Sequence, residues 1–240
     1  MSLSVCKFGG SSLADGNNIS RVTEIIGSDP ARRFVVVSAP GKRYSDDIKV
    51  TDLLYACYRE SVEKGSCAET FQKIRKRFRS IVTELGMDSF DIDGILDETE
   101  RAIEENKSAD FTASRGEYLN PRVVAAKLGR TFIDAKDIIF FDENGRFDES
   151  RSYPLIAEKL SAAGSAVVPG FYGTGADGKI RTFSRGGSDI SGSIVARAMN
   201  ADVYENWTDV SGFLACDPRI VEKPEKIETI SFKELRELSY

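Results

Sequence analysis

Leu3-Ser4-Val5-Cys6-Lys7-Phe8-Gly9-Gly10-Ser11-Ser12 opens the chain, and its reading decides the fold class. Leu3 to Phe8 reads as a short apolar strand, and two glycines and two serines turn the chain. Apolar residues then recur at Ile19, Val22, Ile25 and Ile26, the period of a helix face. Asp29-Pro30 stops that helix. Phe34-Val35-Val36-Val37 follows as a continuous branched run, which fits a strand covered on both faces. Strand, helix and buried strand in this order predict a parallel βαβ start.

Working outward, residues 39 to 49 are polar and carry Pro40-Gly41, which predicts a mobile loop. Helical periodicity then runs for about three helices' length, with Phe71, Ile74, Phe78, Ile81, Val82 and Leu85 on one face and Ile92, Ile95, Leu96 and Ile103 on another. The basic run Lys73 to Arg79 reads as a solvated face, because Ile74 and Phe78 interrupt it at core spacing. A further helix is expected over Thr112 to Leu128, with Pro121 as a kink or break. Strands are expected at Thr131 to Asp134 and Ile138 to Phe141, a helix at Leu155 to Ala162, and a buried strand at Ala166-Val167-Val168. Together these predict an α/β fold, a three-layer α/β/α arrangement around an open, mostly parallel sheet, with ligands at the carboxyl ends of the strands.

Composition narrows the chemistry. The 240 residues are 41% apolar and 30% charged, with 33 Lys and Arg against 38 Asp and Glu, a net charge of −5. That balance offers no general attraction to nucleic acid or an anionic membrane. The chain has no histidine, which excludes an imidazole base, a His-based metal site and a Ser-His-Asp relay. Cys6, Cys57, Cys67 and Cys216 form no Cys-x-x-Cys pair, so free thiols in a reducing, cytoplasmic setting are expected, and no metal-ligating residue is assigned. Apolar runs are too short for a membrane span, and no charged-then-apolar leader precedes the first strand.

Four segments could carry chemistry. Gly173-Thr174-Gly175-Ala176-Asp177-Gly178-Lys179 mimics both G-x-G-x-x-G and a Walker A loop. Ile180 replaces the required Ser or Thr, however, and Ile180-Arg181-Thr182-Phe183 alternates like a strand, so the segment reads as a glycine-rich hairpin. Lys7, at the end of an apolar strand before Gly9-Gly10-Ser11-Ser12, suits a point charge beside a transferring phosphoryl group, with close backbone approach from the glycines; a snorkelling strand-end lysine is the alternative. Ser184-Arg185-Gly186-Gly187-Ser188-Asp189 leads into an amphipathic helix. Arg185 there could grip a carboxylate and Asp189 orient a lysine, while Ser188 or Asp189 could equally cap the helix. Trp207-Thr208-Asp209-Val210-Ser211-Gly212 and Asp217-Pro218-Arg219 follow a strand ending near Tyr204, where Thr208, Asp209 and Arg219 suit a nucleotide or turn chemistry.

In this order, Lys7-Phe8-Gly9-Gly10-Ser11-Ser12, Ser114-Arg115-Gly116-Glu117, Gly170-Phe171, Arg185-Gly186-Gly187-Ser188-Asp189, Trp207-Thr208-Asp209-Val210 and Asp217-Pro218-Arg219 give a chain that resembles the catalytic domain of the aspartokinases, within the amino-acid kinases. The resemblance implies transfer of the ATP γ-phosphoryl group to the side-chain carboxylate of L-aspartate, with Mg²⁺, at the head of lysine, threonine and methionine synthesis. It implies that Lys7 stabilises the transferring group, that Gly9, Gly10 and Ser11 surround the phosphates, and that Asp189 orients Lys7. Ser38 and Thr51, in the loop after the second strand, would lie on the substrate side. Glu117 would hold the aspartate amine, Arg185 and Ser188 its carboxylate end, and Thr208, Asp209 and Arg219 the nucleotide. An aspartate and phosphoryl-transfer lobe over about residues 1–165, a nucleotide lobe over about 166–240 and a homodimer are further implications. The family also has a glycine-alanine-lysine segment that contacts ATP and paired regulatory domains. Neither falls within these 240 residues, so an excerpt or truncated relative is expected.

Overall fold

In the computed structural model, the structure describes the chain apart from residues 1, 185, 209–211, 213, 218, 219, 232 and 235–240. Residues up to Trp207 form one compact unit and residues from Thr208 another. In the first, β1 (Ser4–Phe8), β2 (Arg32–Val37), β3 (Thr131–Phe132), β4 (Ala166–Pro169) and β7 (Val203–Trp207) make one sheet in the order β3-β4-β2-β1-β7. All its pairings are parallel. A separate antiparallel hairpin joins β5 (Tyr172–Thr174) to β6 (Ile180–Thr182), so the glycine pattern is a hairpin as its alternation predicted.

Strand side chains alternate between faces, and two clusters divide on that period. Cys6, Phe8, Val35, Val37 and Val167 pack against helices α1 (Gly16–Gly27), α2 (Val50–Lys64), α3 (Ala68–Glu84), α4 (Ile92–Asn106) and α5 (Ala109–Leu128). Val5, Phe34, Val36, Ala166 and Val168 pack on the other face against α6 (Glu149–Ala163) and α7 (Gly187–Ala198). This is the expected three-layer arrangement. The connections after β1 and β2 run to the first face, and the connection after β4 leads to α7 on the second. The direction switches between adjacent strands β2 and β4, and a crevice opens at their carboxyl ends.

Several local expectations are corrected. Ile138 to Phe141 is not a sheet strand: a 3-10 turn at Ala135–Asp137 precedes it, and only single bridges form, Phe140 to Thr174 and Phe141 to Phe147. Ile138 and Ile139 are apolar because they fill the second cluster. Helix α5 continues through Pro121. The missing N–H there removes only the helical bond to the Glu117 carbonyl, and tertiary packing absorbs the loss. The basic run is a solvated face only in part: Lys73, Lys76 and Arg79 are exposed, but Arg75 and Arg77 are buried. The connection 38–49 is tied down rather than free, since Arg77 donates from Nη1 to the carbonyls of Ala14 (3.2 Å) and Gly41 (3.0 Å) and from Nη2 to Asp47.

The second unit holds an isolated bridge between Leu214 and Lys226 and a bond from Ala215 N–H to Glu225 O of 2.9 Å. Lys233 and Glu234 are helical.

Candidate active site

Lys7 occupies a strand position of the Val5 parity, so the two-residue period turns it toward α7 and away from the five-helix face. Its Nζ lies 2.6 Å from Asp189 Oδ1, with the lysine almost wholly buried and the aspartate side chain half exposed. Asp189 sits in the first turn of α7, where a carboxylate is favoured by the helix dipole. The same Oδ1 accepts a bond of 3.1 Å from Asn206 Nδ2. Asn206 is the β7 residue directly beside Lys7 in the sheet register, so neighbouring strands present an ammonium and an amide to one carboxylate oxygen. Sequence reading missed Asn206. Val203–Trp207 holds two consecutive polar residues, Glu205 and Asn206, so no lone interruption singled Asn206 out as one did Lys7, and which strand lies beside β1 is decided only by the sheet order.

The glycine turn is built by close backbone approach. A Cβ at Gly10 would lie 2.9 Å from Ala39 O, and one at Gly41 only 2.6 Å from Gly10 C. Side chains at these positions would separate the two loops, which are joined by Gly41 N–H donating to Gly10 O at 2.8 Å. Gly9 lies beside the lysine, its would-be Cβ 3.6 Å from Lys7 Nζ. Ser11 falls in a 3-10 turn over Gly10–Leu13 and is exposed.

Glu117 projects from α5 into the crevice end and is 7% exposed. Ser188 Oγ donates to its Oε1 at 3.4 Å, and Oε2 has no partner among the described residues. Burial pushes the carboxyl up from 4.5 to about 7, against the lowering effect of the Ala39 and Glu117 backbone amides and the Ser188 hydroxyl. Ser188 reaches it because Gly170 has no side chain: a Cβ there would lie 2.8 Å from Ser188 Cβ. The next residue, Phe171, has a φ of +76°, an uncommon conformation for a bulky residue. It is held by its N–H donating to Ser191 Oγ at 3.0 Å and its carbonyl accepting from Phe183 N–H at 2.8 Å. This supplies a structural reason for the Gly170-Phe171 pair.

Ser38 is buried at the end of β2; its N–H donates to Phe8 O (3.3 Å) and its carbonyl accepts from Asn120 Nδ2 (2.8 Å). Thr51 lies in the first turn of α2 rather than in the loop, because the helix begins at Val50, whose side chain packs near Gly116 of α5. Trp207 ends β7, stacked on Phe8 with centroids 5.8 Å apart, so it belongs to the five-helix face. Thr208 lies in the second unit. Arg185, Asp209 and Arg219, expected to bind substrate and nucleotide, lie outside the described residues.

The structure therefore brings together Lys7, Asp189, Ser188 and Glu117 through consecutive contacts, with Gly9, Gly10 and Ser38 at the adjacent strand ends. A fixed cation, close-packed glycine turns and a buried carboxyl with one oxygen lacking a partner among the described residues form a site able to align two anionic reactants and one amine.

Comparison with known proteins gives the family. The model of the amino acid kinase family matches residues 2–240. Aspartokinase 3 of Bacillus subtilis (strain 168) is 39% identical over 251 residues, spanning 99% of this chain and 55% of the relative. Clostridium acetobutylicum aspartate kinase matches with a TM-score of 0.95 and 51% identity, covering 100% of this chain and 55% of that one. E. coli aspartokinase III, solved in complex with aspartate and ADP, gives 0.81 at 27% identity, covering 99% and 56%. The chain spans about half the length of these relatives. The family match runs over essentially every residue of the parallel sheet and its glycine turn, and the chain belongs to the amino acid kinase family.

Proposed function

We propose that this chain carries the phosphoryl-transfer site of an aspartate kinase, moving the ATP γ-phosphoryl group to the side-chain carboxylate of L-aspartate to give 4-phospho-L-aspartate and ADP, the first step toward lysine, threonine and methionine. The observation that carries the reading is the contact chain from Lys7 through Asp189 and Ser188 to Glu117. It joins a buried cation to a buried carboxylate whose second oxygen has no partner among the described residues. A phosphoryl donor suits the first and a substrate ammonium the second. The relatives with aspartate kinase names support the same substrate pair.

In this reading a carboxylate oxygen of the acceptor attacks the γ-phosphorus, the bond to the β,γ-bridging oxygen breaks, and ADP leaves with that electron pair. The acceptor is already ionised at neutral pH, so no general base is needed, which a chain without histidine can accommodate. Catalysis then rests on alignment and charge neutralisation of a loose transition state. Asp189 and Asn206 fix the Lys7 ammonium; Gly9, Gly10 and Ser11 surround the phosphates. Glu117 accepts from the substrate amine, and Ser188 with Arg185 holds the carboxylate end. Ser38 and Thr51 flank the acceptor, and Thr208, Asp209 and Arg219 meet the nucleotide. Mg²⁺ held largely through the triphosphate oxygens would offset charge on the transferring group.

By function, residues of about 1–165 form the aspartate and phosphoryl-transfer lobe and about 166–240 the nucleotide lobe, in a cytoplasmic homodimer; sedimentation of the full-length protein tests the last point. No described helix is long and apolar enough to cross a membrane. The activity test is incubation of the full-length protein with ATP, Mg²⁺ and L-aspartate, with hydroxylamine to trap the acyl phosphate. Hydroxamate is expected with L-aspartate; hydroxamate only with L-glutamate would move the assignment to another acceptor, and none with either would reject it.

A further inference from the structure

A second cavity of about 370 Å³ lies between the 38–49 connection and α3 and shares no lining residue with the candidate active site. Arg43, Lys73, Lys76 and Arg77 line it against a single carboxylate, Asp47. That carboxylate is already shared by two guanidiniums: Arg43 donates from Nε to Oδ2 (2.8 Å) and from Nη2 to Oδ1 (2.9 Å), and Arg77 Nη2 donates to the same Oδ2. Glu84 also acts on Arg43 from a distance, but its oxygens accept from Gly16 N–H and the Ser80 hydroxyl. Lys73 and Lys76, three apart and therefore on one face of α3, are exposed and form no ion pair among the described residues.

The cavity therefore carries an uncompensated positive charge inside a chain of net charge −5. Part of that charge is buried, since Arg77 is 5% exposed. Its pKa is pushed down by burial first and by the neighbouring Arg43 second, against the raising effect of Asp47. A bound anion would relieve this. The rest of the lining is Tyr44, Ile48 and Leu53, an apolar margin beside the charges, and the volume falls within the range of small-molecule sites.

We propose that this cavity binds a small phosphate-bearing anion, with Arg43 and Arg77 as a fixed base beneath it, Lys73 and Lys76 as the outer contacts, and the ester's organic part against Tyr44 and Leu53. The inference does not depend on the proposed reaction. Inorganic phosphate is the probe. Thermal unfolding midpoints of the full-length protein are followed against phosphate at constant ionic strength, balanced with chloride, to give an apparent Kd. Lys73→Gln with Lys76→Gln removes two exposed charges without disturbing the core and is expected to raise that Kd at least ~10-fold, the loss of a charge-assisted contact. Lys7→Ala is expected to keep most of the response. No midpoint shift in the wild type, an unchanged response in the double variant, or a response lost only in Lys7→Ala would each overturn the proposal.

Discussion

Two buried carboxylates in this molecule face opposite electrostatic surroundings. Asp47 and Glu117 are 8% and 7% exposed. Asp47 is gripped by Arg43 and Arg77, and those bonds hold its carboxyl far below the usual range. Glu117 receives only amides and a hydroxyl, and burial lifts it to about 7. Burial costs both groups hydration, so the partner decides the charge. A carboxylate supplied with cations by its own chain braces a loop; one left without a cation is ready to meet a ligand's. The Lys7–Asp189 pair falls between, with one member buried and the other half open.

The largest effect expected from this contrast is on turnover. Lys7→Ala should lower kcat by about 10²–10³-fold, the range for a donor aimed at developing charge, with a smaller loss of nucleotide affinity and little change in unfolding midpoint. Equal losses in kcat and nucleotide affinity in steady-state and binding measurements would assign Lys7 to ground-state binding instead.

Asp47→Asn should do the reverse. Taking one partner from a buried ion pair costs about 3–5 kcal/mol, read as a lower denaturation midpoint. If stability were unchanged while aspartate KM rose, Asp47 would belong to the site and the contrast would collapse.

The two carboxylates should also respond to pH with opposite signs. The folded-state pKa of Asp47 is lowered, so its stabilising contribution is present above its ordinary value near 3.8 and fades as the pH falls through the lower folded value. For Glu117 the folded value is raised, so the unfolded chain loses its proton first. Stability therefore falls as pH climbs from 4.5 to about 7, by roughly 3 kcal/mol. In Glu117→Gln that fall should vanish from the pH dependence of denaturant unfolding. The same variant should raise aspartate KM by about 10–100-fold, the loss of a hydrogen bond to a charged group, and should lack the decrease in KM expected of the wild type as pH rises through about 7. A wild-type aspartate KM indifferent to pH in this window would rule out Glu117 as the amine acceptor.

The smallest effect concerns Asn206, which shares Asp189 Oδ1 with Lys7. Asn206→Leu removes one bond, worth about 1 kcal/mol, so kcat should drop about fivefold while aspartate and ATP KM values stay near wild type. A drop in KM alone would separate Asn206 from lysine positioning.

The legible part of this protein is the part with a short sequence period. Strand alternation around Lys7, the branched run at Phe34 to Val37 and the failed Walker pattern at Gly173 to Lys179 each fixed a local structure that the fold retains. The basic run misled, because Ile74 and Phe78 announce a buried face without saying how wide it is. Arg75 and Arg77 fall within that face, where distant carboxylates meet them. Ile138 to Phe141 misled for the opposite reason: a short buried apolar run is the same string whether it joins a sheet or fills a cluster beside one.

Sequence alone determined the parallel α/β class, the direction of Lys7 out of an apolar strand and the absence of imidazole chemistry, since each depends on neighbours a few residues away or on composition. Only the tertiary structure decided that Asn206 stands beside Lys7, that Glu117 is buried with an oxygen lacking a described partner, and that Asp47 meets Arg77. Those facts depend on which segments pack together and how much water they exclude, and charge in a protein is set by that exclusion and by the partners it leaves within reach.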